Sequence, residues 1–142
     1  PEGNGEGFSS DLQNLPNVIL TPHIGGSTEE AQEAIGKEVA TSLAKFLTSG
    51  TTTSAVNFPH VEQPLLPHKH RILNVHKNVP GVLGDITRII SDHKANIFGQ
   101  ILVTDPHIGY LIMDLDQDLS NEVCDQIAAL PTSIRTRRLE DR

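Results

Sequence analysis

Tryptophan is absent from this 142-residue sequence, and tyrosine, methionine and cysteine occur once each. Because Cys124 is alone, an internal disulfide is excluded, as is typical of a reducing compartment. No apolar run reaches the ~18 residues that a membrane-spanning helix needs. The polar, glycine-rich residues 1–10 lack the basic and apolar parts of a signal peptide. We therefore expect a cytoplasmic protein.

Basic residues are also scarce, with 11 lysines and arginines against 18 aspartates and glutamates and a formal net charge of −7. A negative surface repels phosphate backbones and anionic lipid headgroups, so we expect no nucleic acid and no membrane as partner. His68 and His70 are close together, but no thiolate or carboxylate ligand accompanies them. We therefore predict no metal site there.

The first part of the chain contains one strand pattern and one helix pattern. Residues 17–21 form a short run rich in β-branched and apolar side chains, which predicts a buried strand of a parallel sheet. Ser27 followed by Glu30 is typical of a helix-capping box. Behind it, apolar residues recur every four positions at Ala31, Ile35, Val39, Leu43 and Leu47. This spacing predicts an amphipathic helix over 28–48 that ends before Gly50.

Residues 59–69 have the composition of a linker. Prolines and histidines are concentrated in and next to this stretch, at Pro59, Pro64, Pro67, His60, His68 and His70. Proline stiffens the chain and cannot continue a hydrogen-bonded ladder. We therefore predict a first unit at 1–58, a linker at 59–69 and a second unit at 70–142.

The second unit alternates regularly between strand and helix patterns. Strands are predicted at 71–76, 96–104, 108–116 and 133–139, with helices at 82–90 and 123–130. The order strand, helix, strand, strand, helix, strand predicts an α+β, ferredoxin-like βαββαβ fold with both helices on one sheet face. The other face would be open, and open faces and edges favour pairing. We therefore expect a homodimer through this unit.

Residues 21–28, Thr-Pro-His-Ile-Gly-Gly-Ser-Thr, lie between the predicted strand and the predicted helix. This motif resembles the final active-site segment of the D-2-hydroxyacid dehydrogenases, and the likeness continues through 54–59. The resemblance implies that residues 1–58 are the trailing part of the nucleotide-binding and substrate domains, including a strand–helix remnant of a Rossmann-type domain. It also implies an oxidoreductase that uses NAD.

By the same resemblance, His23 is the catalytic residue that takes the proton from a substrate hydroxyl, a role that suits histidine near neutral pH. The cofactor would be contacted by His23, Ile24, Gly25 and Gly26. The sequence contains no G-x-G-x-x-G dinucleotide loop. We therefore expect a C-terminal part that needs the remaining N-terminal part of the enzyme and has no activity alone.

A second motif, residues 76–83 followed by Asn96, resembles the serine-binding part of the C-terminal ACT domain found in that family. Here a helix begins after Pro80, and a helix N-terminus favours a carboxylate. The resemblance implies L-serine as an allosteric effector held between two subunits, with Asn96 contributed by the neighbour. The effector residues would be His76, Asn78, Gly81, Val82 and Asn96.

Two alternatives remain open. The second unit could be an amino-acid-binding ACT dimerisation module of another protein of amino-acid metabolism, although the motif at 21–28 argues against such a host. It could also be a purely structural dimerisation module, with Asn78 and Asn96 as ordinary turn residues.

Overall fold

The computed structural model describes residues 7–67, 69–116 and 120–139, with only the backbone at Ser120. Its elements are α1 (Glu29–Ser49), β1 (His70–Lys77), α2 (Val82–Asp92), β2 (Ile97–Thr104), β3 (Ile108–Leu115), α3 (Ser120–Ala128) and β4 (Ser133–Leu139). The chain divides into two compact units between Thr41 and Ser42, inside α1. No helix of the described part is long and apolar enough to cross a membrane.

The four strands form one antiparallel sheet in the order β2-β3-β1-β4. In the β1–β3 pair, His70 lies opposite Leu115 and Lys77 lies opposite Ile108. Together with the element order, this topology confirms the predicted ferredoxin-like α+β fold.

One sheet face carries the main core. Alternation along β1 and β3 directs Ile72, Leu111 and Met113 towards the two helices, whose apolar stripes meet them. The helices contribute Val82, Ile86 and Ile90 from α2 and Val123 and Ile127 from α3, all almost fully buried. The spacing of these residues by three and four positions is the helical period that the sequence predicted.

The opposite face is not open as predicted, because the chain before β1 folds back onto it. Val61 packs there with Leu73, Tyr110 and Ile112. Phe58 meets the Tyr110 ring edge-on, with 5.1 Å between ring centroids. Burial of apolar surface is favourable. This segment therefore covers a sheet face that we expected a second subunit to cover.

Residues of the predicted linker are therefore held in place. The Thr52 backbone N–H donates to the Val61 carbonyl over 2.9 Å. The Val61 backbone N–H donates to the Thr52 hydroxyl over 2.8 Å, and that hydroxyl donates to the Pro59 carbonyl over 2.7 Å. The division between compact units consequently falls at Thr41 and Ser42, before the predicted linker. His68 lies outside the described residues.

Arg71 fixes this segment to the sheet through a group that we call the Arg71 cluster. Arg71 and Asp114, both 1% exposed, form a two-bond ion pair of 2.7 and 2.8 Å. The same guanidinium donates to the carbonyls of Ser49, Gln63 and Pro64 over 2.9, 2.7 and 2.6 Å. One buried cation thus joins the end of α1, the segment 63–64 and two central strands.

The first unit differs from prediction in two places. Residues 17–21 form no strand, and Ile19 is 91% exposed. A strand of a parallel sheet is held by neighbouring strands, and no strand of the described chain pairs with these residues. The helix cap is Thr28, whose hydroxyl accepts from the Ala31 N–H over 3.2 Å. The helix therefore begins one residue later than the Ser27 capping box predicted.

Candidate functional site

The loop that carries His23 consists of two tight turns. The Ile24 N–H donates to the Pro22 carbonyl over 2.8 Å, and the Ser27 N–H donates to the Ile24 carbonyl over 3.0 Å. His23 is exposed between them. The turns therefore leave the imidazole exposed at the surface of the first unit.

The two glycines of this loop have different surroundings. A Cβ added at Gly25 would meet nothing within 4 Å, whereas one at Gly26 would lie 3.4 Å from the Ile35 side chain. The Gln32 side-chain amide also donates to the Gly26 carbonyl. Gly26 thus anchors the loop to α1, and the open space at Gly25 fits the close approach of a flat cofactor ring.

His76 is more enclosed than its position at a strand end suggested. It is 3% exposed, and its Nδ1 lies 2.9 Å from Asn74 Oδ1. The imidazole lies across Gly109, where an added Cβ would come closest to the ring Nε2 and would stand 2.8 Å from Cε1, which is too close for a real side chain. Burial lowers the pKa of His76 below the usual value for histidine.

Asn78 lies at the same end of the sheet and is tied to the turn between β2 and β3. Its side-chain amide donates to the Asp105 carbonyl over 2.6 Å. The Asp105 carboxylate accepts the N–H groups of Ile108 and His107 over 2.8 and 2.7 Å, and these bonds lower the pKa of Asp105. The turn that faces Asn78 is therefore well ordered by its own hydrogen bonds.

Gly81 is the residue before α2 and has a φ of 93°, which favours glycine. It has no side chain with which to cap the helix, so the first N–H groups of α2 receive no side-chain cap from it. Val82 follows with its side chain in the core. The side chain of Val82 is therefore unavailable for contact with an effector.

Asn96 lies at the other end of the sheet. Its backbone N–H donates to the Asp116 carboxylate over 3.3 Å, and the next residue, Ile97, pairs with Leu115. Asn78 follows the strand end at which Lys77 pairs with Ile108. The two ends are seven residue steps apart along β3, from Ile108 to Leu115, which is about 23 Å at the usual rise per residue. His76, Asn78 and Gly81 thus lie near one end of the sheet, and Asn96 lies at the other.

The sequence interpretation missed the polar residues that surround His76. The Asn74 amide donates to the hydroxyls of Ser133 and Thr136, each over 2.9 Å. Period-two alternation places Ile72, Asn74 and His76 on one face of β1. That pattern was available in the sequence, but the partners on β4 were not, because they lie about 60 positions away.

Comparison with known proteins gives this arrangement a family context. Residues 72–135 match the family model described as the AHAS small subunit-like ACT domain. The chain is 50% identical over 139 residues to the D-3-phosphoglycerate dehydrogenase of Dictyostelium discoideum, covering 98% of this chain and 34% of that protein. This chain is a homologue of the D-3-phosphoglycerate dehydrogenases. The same enzyme of Escherichia coli K12 is 44% identical over 141 residues, with the same shares covered.

The chain thus spans about a third of the length of its D-3-phosphoglycerate dehydrogenase relatives. Because 98% of the chain is covered, both motifs fall inside the similarity. Among solved structures, the ACT domain from GTP pyrophosphokinase of Chlorobium tepidum is similar with a TM-score of 0.45 and 19% identity, covering 52% of this chain and 88% of that one. The resemblance to a dehydrogenase that carries an ACT domain is confirmed.

Proposed function

We propose that this chain is the C-terminal part of an NAD-dependent D-3-phosphoglycerate dehydrogenase, which converts 3-phosphoglycerate to 3-phosphohydroxypyruvate in the first committed step of L-serine biosynthesis. The similarity to D-3-phosphoglycerate dehydrogenases along nearly the whole chain carries this proposal. The chain contributes His23 to the active site and an amino-acid-sensing domain to its regulation.

His23 acts as the general base. An imidazole nitrogen takes the proton of the substrate's 2-hydroxyl as the carbon–oxygen bond becomes a carbonyl, and the proton returns in the reverse direction. NAD, when bound, would supply the acceptor for the hydride of the same carbon. Gly25 and Gly26 allow the main chain beside His23 and Ile24 to lie close to the cofactor. The remaining N-terminal part of the enzyme binds the dinucleotide and the substrate carboxylate.

The isolated 142-residue chain is expected to have no dehydrogenase activity. It contains His23, but the groups that bind the dinucleotide and the substrate carboxylate belong to the remaining N-terminal part of the enzyme. The measurement is NAD reduction in the presence of 3-phosphoglycerate, with and without the chain. Turnover above the buffer background would contradict the proposed division of the active site between this chain and the part that precedes it.

The regulatory site lies between two subunits in this proposal. His76, Asn78, Gly81 and Val82 surround the amino acid from one subunit, and Asn96 reaches it from the other. A distance of about 23 Å between the two ends of the sheet prevents one protomer from supplying both sets. In the described part of the chain β2 and β4 are the edge strands of the sheet, and sheet edges favour the pairing of two sheets.

We expect L-serine to bind more tightly than glycine or L-alanine, as measured by calorimetry. His76→Ala and Asn96→Ala should each weaken serine binding at least about tenfold, the effect of one good hydrogen bond. If none of the three amino acids binds, the result would favour a structural dimerisation module instead.

A mixed dimer tests whether the site is shared. When His76→Ala and Asn96→Ala subunits are combined, one interface site loses both residues and the other keeps both. Serine binding should return at half the wild-type stoichiometry with unchanged affinity. If the mixed dimer binds no better than either variant alone, the two residues do not meet across an interface.

A further inference from the structure

A buried polar cluster lies on the helix-facing side of β1, next to β4. It consists of His76, Asn74, Ser133 and Thr136, and we call it the His76 cluster. Asn74 is 0% exposed and His76 is 3% exposed. The motif at 76–83 includes only His76, and the role of its three partners is not explained by that motif.

The hydrogen bonds of the cluster favour one orientation of the Asn74 amide. Its nitrogen lies 2.9 Å from both the Ser133 and the Thr136 hydroxyl oxygen, and the two oxygens are 3.1 Å apart. In this orientation both amide N–H groups have acceptors, and one hydroxyl can still donate to the other. The reverse orientation leaves one amide N–H without an acceptor, which is costly in a buried site.

The amide orientation determines the tautomer of His76. With the amide nitrogen on the hydroxyls, Asn74 Oδ1 faces His76 Nδ1 at 2.9 Å and can only accept. Nδ1 therefore carries the hydrogen, and the lone pair of a neutral imidazole is on Nε2. Burial, which lowers the pKa of His76, keeps the ring neutral at pH 7. Because Gly109 has no side chain, the imidazole of His76 can lie against it.

We propose that Asn74 is a positioning residue of the effector site, which holds His76 in the Nδ1–H tautomer so that Nε2 accepts a hydrogen bond from a donor group of the amino acid. The inference rests on the proposed regulatory function of this domain. An Nε2 lone pair attracts a hydroxyl or an ammonium group and repels a carboxylate. His76 therefore recognises the donor side of the effector, and its carboxylate is left to the first turn of α2.

The tautomer is measured first, without any ligand. Nitrogen NMR of histidine-labelled protein at pH 8 distinguishes a protonated from an unprotonated ring nitrogen. We expect an unprotonated Nε2 in the wild-type chain and in Asn74→Asp, which keeps the acceptor. In Asn74→Leu the two tautomers should mix. A protonated Nε2 in the wild type, or an unchanged signal in Asn74→Leu, overturns the inference.

Calorimetry on the same proteins tests the consequence. Asn74→Leu should weaken L-serine binding about tenfold, the equivalent of one hydrogen bond, while Asn74→Asp stays close to the wild type. If the donor is the hydroxyl, the preference for serine over alanine disappears in Asn74→Leu; if it is the ammonium group, both ligands weaken equally. Unchanged affinity in Asn74→Leu overturns the proposed role.

Two further outcomes separate this inference from the function on which it rests. A wild-type chain that binds no amino acid overturns the proposed regulatory function and the role of Asn74 with it, whatever the NMR result. If Asn74→Leu does not fold, Ser133→Ala replaces it. Loss of that hydroxyl lets the amide turn over, so the Nε2 signal and serine affinity should change in the same direction as in Asn74→Leu. Their constancy would overturn the proposal.

Discussion

Arg71→Ala lowers the free energy of unfolding by about 3–5 kcal/mol, the usual result of removing one partner from a buried ion pair. The substitution leaves the Asp114 carboxylate buried without its cation. It also removes the donors to three backbone carbonyls of the Arg71 cluster. Urea denaturation followed by circular dichroism provides the measurement.

Two controls show whether burial is the reason. Arg71→Leu combined with Asp114→Leu removes both charges and should recover the part of the lost stability that comes from the unpaired Asp114 charge, but not the part that comes from the three carbonyls. Arg88→Ala removes an exposed ion pair, since Arg88 and Asp85 lie 3.5 Å apart on the surface of α2. That change should cost less than about 1 kcal/mol. An Arg71→Ala effect as small as that of Arg88→Ala would contradict the role given to the cluster.

His23→Asn, introduced into an enzyme extended to the length of its relatives, should reduce kcat by about 10²–10⁴-fold, the usual contribution of a general base. Asparagine keeps a polar side chain of similar size but cannot take the proton. The rate is followed through the absorbance of the reduced cofactor. L-serine binding should be unaffected, because the proposed effector residues belong to the other compact unit.

His60→Asn is the matched control for this experiment. His60 is also exposed, but it lies in the segment that precedes β1 and outside the 21–28 motif. Its replacement should leave kcat within a factor of about two, as expected for a surface residue away from any site. Equal losses in the two variants would show that His23 has no special part in proton transfer.

Much of the second unit could be predicted from the sequence because its signals are local. Alternation along 71–76 and 108–116 and three-four spacing along 82–90 each act within one element. Gly81 after Pro80 likewise marked the start of α2. The motifs at 21–28 and 76–83 pointed to the family because each is a continuous run of residues.

The tertiary structure decided the features that depend on distant partners. Arg71 is buried because Asp114, 43 positions away, pairs with it. Residues 50–64 cover the second sheet face because Val61 and Phe58 pack against Tyr110 there. No periodicity in residues 59–69 predicts this packing. The prolines of this segment are equally typical of a free linker.

The same distinction applies to the sites. Local sequence determined that His23 lies in a glycine turn and that His76 ends a strand. Only the folded sheet placed His76 across Gly109 and Asn96 at the far end, because strand register is set by pairing between segments. Residues 17–21 have the composition of a strand and form none, since β structure depends on neighbouring strands as well as on the residues themselves.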